Sequence, residues 1–310
     1  MKRALVLRSA GTNCDEETAH AFRLAGAEAE LLHVGALLRR ERKLDEFDIL
    51  AFPGGFSYGD DLGAGTVLAS KLRTRLEDDL EAFVASGRLV LGICNGFQVL
   101  ARLGLLPGWK GEKVVSLVEN ASGKFEDRWV RLRVEADGCP FLGAGSGPAG
   151  RGLGKGACLR LPVAHREGRF LVRDPEVLER LRAGGQIALK YVSPGPDGLP
   201  TQEFPHNPNG SVEGIAGITN PAGNVLGLMP HPERHVRAFQ EPTWTRRQAC
   251  RAGQAGGAGQ AGGEGQASGT GQTSGTGQTH GEGLDEGVVV VADVLDTPGD
   301  GYFFFENAAR

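Results

Sequence analysis

Gly92-Ile93-Cys94-Asn95-Gly96-Phe97-Gln98 sets a cysteine between two glycines, and what flanks it decides the fold. Leu89-Val90-Leu91 precedes it, a short apolar run that reads as a buried strand. Phe97 to Gly104 follows, with apolar residues at helical spacing and a glycine stop. A cysteine at a sharp strand-to-helix turn is the thiol counterpart of the Gly-x-Ser-x-Gly nucleophile elbow. Its glycines allow the turn and a close approach of backbone and substrate. A helix start offers unpaired N–H groups and the positive end of a dipole. Both favour the thiolate, which is the nucleophilic form. The Asn95 N–H would then point where an oxyanion forms. The same pattern also describes a buried cysteine beside a tight turn, so on local grounds both readings stand.

Two further stretches bear on the choice. Met229-Pro230-His231-Pro232-Glu233-Arg234 ends the strand-like run Val225 to Leu228. A nucleophilic cysteine needs a base, and the base needs an orienting acceptor. His231 and Glu233 are two residues apart and project to one side of an extended chain, with Pro232 fixing the backbone between them. By itself a His-Pro-Glu is commonly a surface turn. Phe52-Pro53-Gly54-Gly55-Phe56-Ser57-Tyr58-Gly59-Asp60 follows another buried-strand pattern, Phe47 to Ala51. Its Gly54-Gly55 pair is either a simple turn or the source of a second N–H aimed at the oxyanion.

Glycine loop, cysteine elbow and late His-x-Glu, in that order, resemble the class I (triad-type) glutamine amidotransferases. Ser57 to Asp60, Asn120 to Val130, Pro162 to Phe170 and Asn207 to Ser211 narrow the resemblance to the glutaminase components of phosphoribosylformylglycinamidine synthases. It runs from Met1 to about Trp244, with Asp61 and Gly63 where many members carry an aromatic residue and an arginine. It implies an α/β fold, a doubly wound and largely parallel sheet flanked by helices. It implies that Cys94 attacks the side-chain amide of L-glutamine, that His231 moves the protons and that Glu233 orients His231. Gly54, Gly55 and Asn95 would hold the oxyanion, and Gln98 would join the substrate-binding residues. The partners it implies are a large ATP-using synthetase, which converts formylglycinamide ribonucleotide to its amidine, and a small third subunit. No cofactor or metal is then expected in this chain, since ATP and magnesium belong to the synthetase. A glutaminase subunit of another synthetase is the alternative within this class, the elbow alone also permits a stand-alone cysteine hydrolase, and an altered Cys94, His231 or Glu233 would have marked a silent binding module.

Composition is consistent with this class. With 310 residues, 40% of them hydrophobic, the chain can bury a real core. A net charge of −4 argues against a general binder of nucleic acid or membrane surface. The apolar run after Met1-Lys2-Arg3 is too short for a signal peptide, and no run approaches a membrane span. Cys14, Cys94, Cys139, Cys158 and Cys250 are far apart and include no CxxC pair. A disulfide framework or structural zinc site is therefore not expected, and a reducing cytoplasm is.

Along the chain, Ala4 to Arg8, Ala29 to Val34, Leu44 to Ala51 and Leu89 to Cys94 read as strands or strand approaches. Asp15 to Gly26 and Leu62 to Ser86 read as helices between them. Such alternation builds a parallel sheet with its site at the carboxyl ends of the strands. Cys14 sits in the first connecting loop, where packing is the favoured role. From Lys113 on, strands are expected at Val114 to Val118, Trp129 to Glu135, Cys158 to His165, Gln186 to Val192, Gly214 to Thr219 and Val225 to Met229. They are expected on one sheet, with a helix from Asp174 to Ala183. Ala149 to Lys155 nearly spells a P-loop but lacks the first glycine and the terminal hydroxyl residue, so it reads as a loop. The glutaminase domain is expected over 1–245 and a low-complexity linker over 246–283. The core of that linker, Arg251 to Gly283, has 13 glycines in 33 residues and no large apolar side chain, so it cannot offset its ordering entropy. Residues 284–310 recover apolar character. Val288 to Val291 read as a short strand and Tyr302 to Arg310 as a terminal helix returning to the main domain.

Overall fold

The computed structural model describes residues 1–143, 153–195, 198–245 and 297–310. Residues 149–152 of the expected Ala149 to Lys155 loop, the expected 246–283 linker and the strand expected at Val288 to Val291 lie outside the described residues. By contacts the chain forms two compact units, Met1–Val236 with Asp300–Arg310, and Arg237–Gly299. Residues 237–245 thus group with the second unit. There Ala238–Gln240 forms a 3-10 turn, and the Ala238 N–H donates to Thr297 O at 2.9 Å.

In the first unit, short apolar runs alternate with helices as the spacing predicts. Strands β1 (Arg3–Arg8), β2 (Glu28–His33), β3 (Ile49–Phe52) and β4 (Leu89–Ile93) interleave with helices α1 (Asp15–Leu24), α2 (Val34–Leu38), α3 (Thr66–Ala85) and α4 (Asn95–Leu103). The strands pair in parallel in the order β2-β1-β3-β4. Every residue of β3 is buried, as a parallel strand covered on both faces requires.

The second half is strand-rich. It holds β5 (Val115–Val118), β6 (Glu126–Val134), β7 (Cys158–His165), β8 (Arg169–Val172), helix α5 (Pro175–Ala183), β9 (Ile187–Tyr191), β10 (Ile215–Thr219) and β11 (Val225–Leu228). β11 joins β4 in parallel, and β10, β9, β6 and β7 continue antiparallel, making a nine-stranded sheet. The α/β architecture with a parallel half flanked by helices is the expected one.

Two local readings are corrected. The strands after Lys113 do not all share one sheet, because β5 pairs only with β8 in a separate antiparallel ribbon, from Val115↔Val172 to Val118↔Arg169. β8 itself escaped the sequence reading, since its short apolar run sits between Arg169 and Arg173. The ribbon is tied to α4 by side chains, with Phe170 stacked on Phe97 at 6.2 Å between ring centres. Helix α5 starts as read. Asp174 caps it by accepting from the Val177 N–H at 3.0 Å, and Pro175 fills the first helical position.

The chain ends in helix α6 (Tyr302–Ala309), whose Phe303, Phe304 and Phe305 are buried. Phe305 meets Phe22 of α1 edge to face, 4.9 Å between centres. The aromatic run is thus core, and it packs against α1. Among the described residues no helix is long and apolar enough to cross a membrane. Truncating a fully buried phenylalanine typically costs about 3–5 kcal/mol. Phe305→Ala should lower the unfolding free energy by that amount in urea titrations. A change below about 1 kcal/mol would show that α6 is not part of the cooperative core.

Candidate active site

The elbow is a real strain point. Cys94 sits between β4 and α4 with φ 50° and ψ −105°, a left-handed conformation outside the usual wells for a side-chain-bearing residue. Helix α4 begins at once, at Asn95, two residues earlier than its apolar spacing predicts. Both flanking glycines are obligatory. A Cβ on Gly96 would lie 1.9 Å from Phe52 O, and one on Gly92 would lie 2.8 Å from Gly96 O. The Cys94 N–H donates to Leu228 O at 2.8 Å, which fixes the elbow to β11.

β11 runs beside β4 with Leu228 opposite Ile93, so its carboxyl end delivers His231 next to the elbow. The His231 N–H donates to Pro162 O at 2.8 Å. Pro232–Arg234 then turns in a 3-10 coil, and His231 Nδ1 meets Glu233 Oε1 at 2.6 Å. The pairing expected from the sequence is present, but its geometry differs: the two side chains meet through a turn and not along an extended chain. Both are buried. Burial opposes charge on the ring, yet the Glu233 carboxylate and the Cys94 sulfur outweigh it and raise the His231 pKa well above its ordinary value. Nε2, the nitrogen not used by Glu233, is buried without a hydrogen-bond partner.

β3 lies on the other side of β4 and leads into Gly54-Gly55. Among the described residues neither of these N–H groups has a hydrogen-bond acceptor. A Cβ on Gly54 would stand 2.7 Å from His231 Cε1, so the glycine lets the loop lie against the histidine. The loop is pinned from behind by the β1–α1 connection, with Cys14 N–H to Gly54 O at 3.2 Å and Phe56 N–H to Gly11 O at 2.8 Å. Asn95 reaches it from α4, its side chain accepting from the Ser57 N–H and donating to Asp60 and Gln98. Gln98 donates in turn to Glu167 O at 2.5 Å. Gly54, Gly55, Asn95 and Gln98 therefore all converge on Cys94, and Gly55, Asp60, Cys94, Gln98, His165 and Glu167 line a cavity of about 460 Å³.

Two further residues beside Cys94 and His231 were not placed there from sequence. Cys14, read as packing, places Sγ 4.0 Å from His231 Nδ1 and 3.2 Å from Arg234 Nη2. Burial first of all holds its thiol up at about 11, so it stays protonated. The available signal was positional, because Cys14 follows the carboxyl end of a parallel strand. The other neighbour is His165, which ends β7. Its Nδ1 lies 3.2 Å from Asn120 Oδ1; the Asn120 amide already donates to Lys124 O and His165 O, so Nδ1–H is the donor. The ring lies flat on Gly168, where a Cβ would be 2.4 Å away. Burial pushes its pKa down to about 3, helped by His231. Although β7 is the far edge of the sheet, Ala164 O is 3.8 Å from Cys94 Sγ, so the antiparallel half curls back over the elbow.

Residues 1–257 match the family model described as a CobB/CobQ-like glutamine amidotransferase domain. A Dehalococcoides mccartyi protein named phosphoribosylformylglycinamidine synthase subunit PurQ is 46% identical over 244 residues, 78% of this chain and 89% of that one. The protein of the same name from Thermus thermophilus is 42% identical over 234 residues, 76% of this chain and 90% of that one. Among solved structures, a chain from the structure of PurLQS from Thermotoga maritima superposes with a TM-score of 0.59 at 34% identity. The match covers 81% of this chain and 99% of that one.

The buried neutral His165 has a consequence for acid stability. Its ordinary pKa is 6.5 and its folded value about 3. As pH falls from about 6.5 toward 3, the unfolded chain takes up a proton that the folded chain refuses, so folding is progressively disfavoured. His165→Gln should flatten the decline of unfolding free energy with acid over that window, measured by urea titration at a series of pH values. Equal slopes for wild type and variant would contradict the neutral assignment.

Proposed function

The chain belongs to the CobB/CobQ-like glutamine amidotransferase domain family, and we propose that Cys94, His231 and Glu233 are the triad with which it hydrolyses glutamine. The chain is the glutaminase subunit of phosphoribosylformylglycinamidine synthase, serving purine biosynthesis, and its partner is the synthetase subunit of that enzyme. A small third subunit and a cytoplasmic setting are part of the proposal. So is the division of labour in which ATP and magnesium are used by the synthetase.

The observation that carries the triad is the buried His231–Glu233 hydrogen bond beside a strained cysteine elbow. Cys94 passes its S–H proton to His231 Nε2 and its Sγ attacks the carboxamide carbon, the bond to sulfur forming as the carbonyl π electrons move to oxygen. The N–H groups of Gly54 or Gly55 and of Asn95 receive that oxyanion, each donor worth about 3 kcal/mol of barrier. His231 Nε2–H protonates the departing nitrogen, and ammonia leaves with the C–N bond pair. A water then gives its proton to Nε2 and attacks the thioester, releasing glutamate and restoring Cys94. Glu233 keeps the ring in the tautomer that points Nε2 at the reaction and stabilises its imidazolium form. Gln98, held by Asn95 and Glu167, stands in the cavity wall as a substrate-binding residue.

Cys94→Ser keeps the shape but offers an alcohol that this site is not arranged to ionise. In enzyme reconstituted with the synthetase, it should lose glutamine-dependent amidine formation by a factor of about 10³ or more and keep ammonia-dependent formation. Glu233→Gln should show the same split in milder form. Retention of glutamine-dependent synthesis by Cys94→Ser would remove Cys94 as the nucleophile.

A further inference from the structure

Cys14 lies against the triad and has no step in this chemistry. Its Sγ, a nitrogen of His231 and a carboxylate oxygen of Glu233 all fall within 4.8 Å of one another, and all three residues are buried. Glu233 Oε2 is buried with no hydrogen-bond partner. The three donors come from two separately anchored segments, Cys14 from one and His231 with Glu233 from the other. Cys14 caps α1, with its N–H on Gly54 O and its carbonyl accepting from Thr18 Oγ1 at 2.6 Å, and His231 hangs from Pro162 O. A thiolate, an imidazole and a carboxylate are the ligand types that zinc takes, at about 2.3 Å from sulfur and about 2.0–2.2 Å from nitrogen and oxygen. Tetrahedral ligands at those lengths stand roughly 3.3–3.7 Å apart. Cys14 at 4.0 Å from Nδ1 needs only a small approach, and Glu233 at 2.6 Å a small retreat. Arg234, bound to Glu17, places Nη2 3.2 Å from Sγ and offsets only part of the burial that keeps this thiol protonated in the metal-free chain. A soft sulfur in the set selects zinc over magnesium or calcium.

We propose that Cys14, His231 and Glu233 form a zinc(II) site that silences the glutaminase by withdrawing His231 from the triad. The inference rests on the triad reading above. Binding changes no oxidation state. The Cys14 S–H bond breaks, its proton goes to solvent and its electron pair forms the Zn–S bond. The His231 Nδ1 proton also leaves for solvent, and that lone pair forms the Zn–N bond in place of the hydrogen bond to Glu233. Nε2 keeps its proton. Bound this way, the ring can release that proton only as an imidazolate, so it neither protonates departing ammonia nor accepts from water. The synthetase site is untouched.

The test uses the full chain with Cys14 as its only cysteine (Cys94→Ser, Cys139→Ala, Cys158→Ser and Cys250→Ser together), titrated with zinc chloride. Equilibrium dialysis should give one zinc per chain, and zinc X-ray absorption should give one sulfur ligand among nitrogen and oxygen. Adding Cys14→Ser should weaken binding by about 10- to 100-fold or more and remove the sulfur. Where that combination does not fold, Cys94→Ser compared with Cys94→Ser/Cys14→Ser decides the same question. In otherwise native enzyme with its synthetase, zinc should abolish glutamine-dependent synthesis, a chelator should restore it, and ammonia-dependent synthesis should persist. Absence of stoichiometric binding, a sulfur-free zinc shell or indifference to Cys14→Ser would overturn the metal site and leave the triad standing. Zinc bound through Cys14 with undiminished glutamine-dependent synthesis would overturn the silencing, and the role given to His231 with it.

Discussion

The Cα of Gly96 rests against the carbonyl oxygen of Phe52, with no room for a single additional carbon. That contact sets the start of α4 directly on the end of β3, and much else depends on it. Cys94 must then turn through a left-handed backbone conformation, a strain of about 1–3 kcal/mol that the surroundings have to over-determine. They do so through β11. The Cys94 N–H is held by β11, and Gly227 of β11 has Phe97 of α4 where its side chain would be. A helix lying this close to three central strands leaves the thiol no freedom to relax. The loops after β3 and β11 are brought to it by strand order alone.

The parts of this arrangement that are local in sequence were readable there. Four- and five-residue apolar runs ended by glycine mark the parallel strands, and a cysteine between two glycines at such an end marks the elbow. Cys94, His231, Glu233, Gly54, Gly55, Asn95 and Gln98 all converge on one place because each sits at or just after the end of β3, β4 or β11. What could not be read depends on contacts across long stretches of chain. Nothing near Cys14 says that β1 is the neighbour of β3, which is what brings that thiol to His231. The edge strand β7 returns to the elbow only through the curl of the whole antiparallel half, so the roles of Pro162 O and Ala164 O have no sequence signature. His165 looked like one more residue of a recognisable stretch. Its neutrality follows from burial beside Asn120 and Gly168, which is a property of the packed state. Even the His-Pro-Glu pair meets through a turn that extended-chain geometry does not anticipate.

The two flanks of α1 do different work. Its first turn carries Cys14 and Glu17, which engage His231 and Arg234, and its middle carries Phe22, which packs on Phe305. A shift of α1 along its axis would therefore be felt both at His231 and at the end of the chain. The buried carboxylate of Glu233 has His231 on one oxygen and Arg234 nearby, so its charge is balanced by two neighbours in its own turn.

The last residues also enter the core at a telling place. The Gly301 N–H donates to His235 O at 2.9 Å, and a Cβ on Gly301 would stand 1.9 Å from Pro232 O, inside the His-Pro-Glu turn. The Asp300 carboxylate accepts from the Arg160 N–H at 2.8 Å. The chain thus leaves the first unit at Val236 and re-enters it at Asp300 through a clasp closed by backbone contacts. Closing a loop costs only about 0.6 kcal/mol for each doubling of its length. The clasp is in effect a splice port: evolution or an engineer can graft chain between its jaws, even a folded reporter, a few residues from His231 and at almost no thermodynamic penalty to it.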